Sequence, residues 1–280
     1  MNFSFAKYHA LRNDFMVVDA GNRRLPRPAL SRLAIATCDR RAGIGADGLL
    51  YLSSSNRADR KIDVFNADGS WAEKSGNGLR IGGVHLKLSG HRKRVVTLES
   101  AGAIHDVRID RRVGNAFSVT TDLGPPVFET SAIPVKSRHR FMIHGLLKIG
   151  GTELPITCLS VGNPHAVLFV DSFDFDWRTL GHDIEHHPFF TDRTNVEFVK
   201  VINSRRLKVV DWERGVGPTP SSGTGAAAAL SAAVMMGMVK RRCRVVFNSG
   251  TIEVEWDDAT NRISICGPVE FICKGEFRCQ

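Results

Sequence analysis

VVDWERGVGPTPSSGTGAAAALSAAVMM, residues 209–236, starts on alternating apolar residues, crosses a polar loop and ends in a continuous apolar run. The alternation reads as a strand. The run from Ala226 is apolar on every side, the pattern of a helix buried all round. Between them, Ser222-Gly223-Thr224-Gly225 has the form of an N-cap followed by glycines. An earlier stretch, DVFNADGSWAEKSGNGLRIGGVHLKL at residues 63–88, repeats the plan, with Ser75-Gly76-Asn77-Gly78 opening the helix. Strand-to-serine distances are nearly equal, Val64 to Ser75 and Val210 to Ser222. The chain therefore reads as two copies of one unit.

Short β-rich runs extend outward from these stretches: Phe15–Val18, Lys61–Phe65, Val95–Glu99, Phe117–Thr121, Ala166–Val170, Val196–Ile202, Leu207–Trp212, Val245–Phe247, Ile252–Trp256 and Ile263–Cys266. Helical periodicity is clearest over Ala29–Cys38, Gly78–Leu88 and Gly225–Val239. Many strands around few helices predict an α+β fold of two pseudo-symmetric halves. Pro125-Pro126 marks the boundary between them. Met235, Met236 and Met238 are expected to pack the second helix.

Composition narrows the function. Hydrophobic residues make up 42% and charged residues 24% of 280, an ordinary globular balance. No segment approaches the roughly 18 apolar residues of a membrane span, and the first residues, MNFSFAKYHALRNDF, carry no secretory pattern. The six cysteines are irregularly spaced, without a CxxC pair. They read as thiols of a reducing compartment, which places the protein in the cytoplasm. The net charge of +9 comes from short basic clusters such as Arg205-Arg206 and Lys240-Arg241-Arg242. Without interleaved aromatics these do not read as a nucleic-acid or membrane surface, though they would draw acidic metabolites.

A Ser-Gly-x-Gly helix opening exposes backbone N–H groups at the positive end of the helix. Two such openings could bind one carboxylate between them. Nearby blocks, including Asn66-Ala67-Asp68-Gly69, Gly162-Asn163-Pro164-His165 and Thr194-Asn195, supply amides that suit a zwitterionic small molecule. His182, His186 and His187 include an i, i+4 pair, but Pro188 and the acidic neighbours read as a loop or helix end, and no metal site is assigned.

In order, KYHALRNDF, RRAGIGADGLL, VFNADGSWAEKSGNGLR, SVGNPHAVLFV, DRTNVEFV and DWERGVGPTPSSGTGAA resemble the diaminopimelate epimerase family over essentially the whole chain. The resemblance implies that each half is a mostly antiparallel sheet wrapped around a central helix. The last strands return to the first half, giving domains of 1–122 plus 268–280 and 123–267 with the active site in the cleft between them. It implies an isomerase with no cofactor, neither pyridoxal phosphate nor metal, and often a homodimer. One residue takes the α-proton of an amino acid and another returns a proton to the opposite face, interconverting LL- and meso-diaminopimelate in lysine and cell-wall precursor synthesis. Substrate contacts fall on Asn13, Asn66, Gly76, Asn77, Asn163, Asn195, Glu213, Arg214, Gly223 and Thr224. Arg214 would pair with the distal carboxylate, and His165 and Glu213 would support the catalytic pair.

The proton-exchanging residues of that family are cysteines, and Ser75 and Ser222 stand in their places. A thiol ionises near pKa 8.5, whereas an alcohol lies closer to water, at about 15.7. Poising an alcohol at neutrality takes about 12 kcal/mol, against roughly 0.3–2 kcal/mol from a helix N-terminus. Serine therefore needs a partner base, for which His9, His165, Glu213 and Lys74 are candidates. Arg12 also stands where the family usually has glycine, Pro218 where glutamate is common, and Lys74 where an apolar residue is usual. Three readings stay open: an epimerase using Ser75 and Ser222, an isomerase of another anionic carbon acid, and a non-catalytic amino-acid binder.

Overall fold

The computed structural model describes residues 2–278. The chain forms two compact units that divide between Asp122 and Leu123 and again between Ile265 and Cys266. The second division falls two residues before the expected start at 268. Pro268 marks no break, because the final strand, β17 (Ile263–Arg278), runs through it.

In the first unit, β1 (Asn2–Ala10) is antiparallel to β2 (Asn13–Asp19). A helix, α1 (Arg27–Cys38), carries the chain to β3 (Gly48–Ser53), parallel to β2. Next come β4 (Arg60–Asn66), antiparallel to β3, the short β5 (Trp71–Ala72) and the central α2 (Gly76–Leu88). The strand β6 (Val95–Ser100) is parallel to β4, and β7 (Ala103–Val113) and β8 (Ala116–Gly124) follow as an antiparallel meander. Because β8 and β1 both pair with β17, eight strands close around α2. Successive side chains alternate between faces. Met16, Val18, Leu49 and Tyr51 meet α1 outside, with Leu30, Leu33 and Ala34 in the same cluster. Inside, glycine at 83 lets β7 approach α2, since a Cβ there would overlap Val107.

The β1–β2 turn explains one departure from the family pattern. Leu11 and Arg12 lie between the paired Ala10 and Asn13, with φ of 52° and 69°. A two-residue hairpin of this form favours glycine, and an L-residue there costs about 1–2 kcal/mol. Arg12→Gly is therefore expected to stabilise the protein by about 1 kcal/mol, raising Tm by about 2–4 °C in thermal unfolding.

The second unit begins with β9 (Gly145–Ile149), paired with β10 (Thr152–Ser160), and then repeats the first unit's plan. The strand β11 (Pro164–Phe169) is antiparallel to β10, and α3 (Trp177–Glu185) leads to β12 (Asn195–Asn203), parallel to β11. Then come β13 (Arg206–Glu213), antiparallel to β12, the stub β14 (Gly217–Thr219) and the central α4 (Gly223–Met235). The strand β15 (Arg242–Phe247) is parallel to β13, and β16 (Gly250–Trp256) closes the series. Thus α1 corresponds to α3, and α2 to α4. The fold is α+β.

Helix α4 stops at Met235 rather than continuing to Val239. Gly237 adopts φ 68°, and its N–H bonds the Val234 carbonyl, which ends the helix. Met235 and Met238 consequently lie at the surface, 46% and 36% exposed, rather than packing the helix. Among the described residues no helix is long and apolar enough to cross a membrane.

Candidate active site

Each central helix is capped by its serine. Ser75 is extended (φ −135°, ψ 117°), and its Oγ accepts from the Gly78 N–H at 3.0 Å. Ser222 does the same for α4 (φ −123°, ψ 129°), accepting from the Gly225 N–H at 3.0 Å. Gly76 and Gly223 are the first helical residues.

In the first unit the cap adjoins an amide chain. Asn77 Nδ2 donates to Asn13 Oδ1 at 2.9 Å, and Asn13 Nδ2 donates to Asp47 Oδ2 at 2.9 Å. Arg40 Nη2 bridges Asp47 Oδ1 and Asp14 Oδ1, both at 2.7 Å, while Lys7 Nζ holds Asp14 Oδ2 at 2.8 Å. Burial raises the Asp14 pKa, but Arg40 and Lys7 outweigh it and hold the carboxyl below its usual value. Burial and the Asp14 charge push Asp47 up. Asn66 lies in the turn after β4, where its Nδ2 donates to Ser70 Oγ at 2.9 Å.

Arg80, which the sequence reading did not single out, is fully buried on α2. Its Nη2 donates to Asn77 Oδ1, while Nε and Nη1 have no hydrogen-bond partner. Burial lowers its pKa to about 10. The available signal was a cation within Leu79–Val84, a stretch otherwise made of apolar residues and glycine.

In the second unit the polar groups form a connected path. Ser222 Oγ lies 3.4 Å from Thr224 Oγ1, which accepts from Asn163 Nδ2 at 3.3 Å. Asn163 Oδ1 faces His165 Nε2 at 2.9 Å, and His165 Nδ1 faces Glu197 Oε1 at 2.6 Å. Asn195 Nδ2 donates to the Pro164 carbonyl at 2.8 Å, and its Oδ1 accepts the Arg214 N–H at 2.9 Å. Arg214 Nη1 donates to Asp192 Oδ2 at 3.0 Å. Glu213 Oε1 accepts from Thr219 Oγ1 at 2.7 Å.

The carboxyl bonded to His165 is Glu197. Beside it lies Asp211, its register partner across the β12–β13 ladder. Both are buried in the second unit's core, next to the α4 opening. Glycine at 225 is required there, since a Cβ would lie 2.7 Å from Asp211 Oδ1 and 3.1 Å from Glu197 Oε1. Burial drives the Glu197 pKa well up. Burial, then the charges of Glu197 and Glu213, drive Asp211 well up, and the Ser222 N–H offsets only part of this. Neither Asp211 oxygen has a hydrogen bond of ordinary geometry. The signal for Asp211 was parity, because it shares the inward face of Leu207 and Val209.

Of the other candidate bases, His9 Nδ1 accepts the Arg12 N–H at 3.5 Å, and Lys74 is buried just before the α2 cap. His182 and His186 stack at 4.3 Å where α3 ends. Among the described residues no group of three or more His, Cys, Asp or Glu side chains could hold a metal ion.

Duplicated strand layers around central helices define a class of fold seen in solved epimerase and phenazine-biosynthesis structures. A hydroxyproline epimerase from Agrobacterium vitis aligns with a TM-score of 0.73 at 16% identity, covering 99% of this chain and 91% of that one. A PhzF-family phenazine biosynthesis protein from Bacillus anthracis aligns over 100% of both chains, with a TM-score of 0.70 at 17% identity. The sequence profile of diaminopimelate epimerase matches residues 5–129 and 157–272. The diaminopimelate epimerase of Acetivibrio thermocellus is 38% identical over 274 residues, 97% of each chain. That of Microcystis aeruginosa is 39% identical over 289 residues, 99% of each. The chain belongs to the diaminopimelate epimerase family, and it is an isomerase of the racemase and epimerase class.

Proposed function

We propose that the protein is a cytoplasmic epimerase that interconverts LL- and meso-diaminopimelate without a cofactor, using Ser75 and Ser222 as its two proton-exchanging groups. The observation that carries this reading is the duplicated cap. Each unit presents a serine hydroxyl at a helix opening, with asparagine amides on either side. Nearly full-length identity to proteins named diaminopimelate epimerase supports the substrate.

In this mechanism one serine, as its alkoxide, takes the α-proton. The other hydroxyl gives its proton to the opposite face of the carbanion, and the roles reverse in the back reaction. N–H groups at the helix openings hold the substrate's α-carboxylate and stabilise charge developing beside it. Arg214 would exchange its Asp192 contact for the distal carboxylate. His165 acts through Asn163, holding its Oδ1 so that Asn163 Nδ2 donates to Thr224 beside Ser222, and Glu197 fixes the Nδ1 side of the imidazole. Glu213 and Asn195 hold the Arg214 segment and the substrate amino group.

The test is deuterium incorporation at the α-carbon of LL- and meso-diaminopimelate in heavy water. Incorporation at both with net interconversion is expected. Folded protein that gives no incorporation above a blank would reject the reading. One observation favours a second reading, binding without turnover: both hydroxyls accept hydrogen bonds from their own helices. Calorimetric binding of diaminopimelate without exchange would favour that alternative.

A further inference from the structure

The second unit carries a cavity of about 680 Å³ at the turn between β12 and β13, beside the start of β15. Among the described residues, Arg205, Arg206, Lys240, Arg242 and Arg244 line it, with Glu253 as the single carboxylate. Glu253 is divided between Arg242 and Arg244, each at 3.5 Å. Among the described residues, Arg205, Arg206 and Lys240 have no ion-pair partner. Arg206 and Arg244 are register partners in the parallel β13–β15 pair, so two cations stand side by side on one face. Like charges in that position destabilise a sheet.

The duplicated fold supplies its own control. In the parallel β4–β6 pair of the first unit, Arg60–Leu98 and Lys61–Glu99 take the places of Leu207–Val245 and Lys208–Val246, so one step back Asp59 and Thr97 stand where Arg206 and Arg244 do. Asp59 accepts from the Thr97 N–H at 2.9 Å and from Lys93, the counterpart of Lys240, at 2.6 Å, so the charges there are matched. The same architecture thus accommodates a balanced pair, whereas the second unit collects five cations around one acid.

We propose that this second-unit cavity binds a compact polyphosphate anion, two or more linked phosphoryl groups, independently of the epimerase chemistry. Guanidinium forks match phosphate oxygens bidentately, and the volume is that of a small-ligand site. Among the described residues no aromatic side chain lines it to stack a base. The feature recognised is therefore dense negative charge rather than a nucleobase or a nucleic-acid strand.

Inorganic triphosphate titrated calorimetrically into the full-length protein at 150 mM KCl tests this. Saturable binding at one per chain is expected, at least tenfold weaker in Arg206→Ala/Arg244→Ala. Arg206→Glu, which puts an acid beside Arg244 where the first unit has Asp59, should abolish binding while raising the Tm of the ligand-free protein. Arg214→Ala should leave binding unchanged. The proposal is overturned by an absence of saturable binding, or by undiminished binding to the double variant. Loss of binding in Arg214→Ala, or tighter binding of a single-stranded oligonucleotide than of triphosphate at these residues, would also overturn it. None of these outcomes depends on epimerase activity.

Discussion

Asp211→Asn is expected to stabilise the protein above neutral pH, by an amount that grows as pH rises. Asp211 is buried opposite Glu197 without a good hydrogen bond, and its pKa is driven well up. In the unfolded chain the same carboxyl ionises near its ordinary value of about 3.9. The folded state therefore holds a proton that the unfolded state releases, and stability falls as pH rises from there through the folded pKa. In that window the penalty is about 1.4 kcal/mol per pH unit. Asparagine does not titrate, so its only cost is two amide hydrogens in a buried site, about 1–3 kcal/mol. Chemical unfolding at pH 5 and pH 8 should show the variant gaining on wild type across that interval. A constant difference between the two pH values would contradict the assigned burial of this acid.

Replacing both serines, Ser75→Cys with Ser222→Cys, should raise epimerisation by at least about a thousandfold. The difference of about 7 pKa units between alcohol and thiol corresponds to roughly 10 kcal/mol of ionisation. Only part of it reaches the transition state, because the weaker base is also the less ready acceptor. The caps should survive, since a thiol at either position still faces the same helix N–H groups. Initial rates with LL-diaminopimelate at saturation check this. An unchanged rate in a folded double variant would show that something other than proton removal limits turnover.

The duplication was legible because its signals are local. A serine before glycines, an apolar run and strand alternation repeat at matching spacing, and α2 and α4 begin at those caps. The positive φ at Arg12 matches the expected glycine, so the odd residue has a conformational meaning. The buried acids were harder to read. Glu197 sits in a strand whose first five residues are all buried, so alternation does not send it to solvent. Its neighbour Asp211 arrives only through the β12–β13 ladder. The contact of Asn13 with Asn77 likewise joins segments 64 residues apart. Sequence reading did not single out Glu197, whose carboxyl bonds the His165 imidazole.

Removing one hydroxyl at a time addresses the two-serine claim most directly. Ser75→Ala and Ser222→Ala, each confirmed folded, would be assayed in heavy water against both stereoisomers. Loss of net interconversion in both variants, each losing deuterium exchange from a different stereoisomer, is the predicted result. Either single variant epimerising at the wild-type rate would contradict it, because one hydroxyl would then have no part in moving the proton.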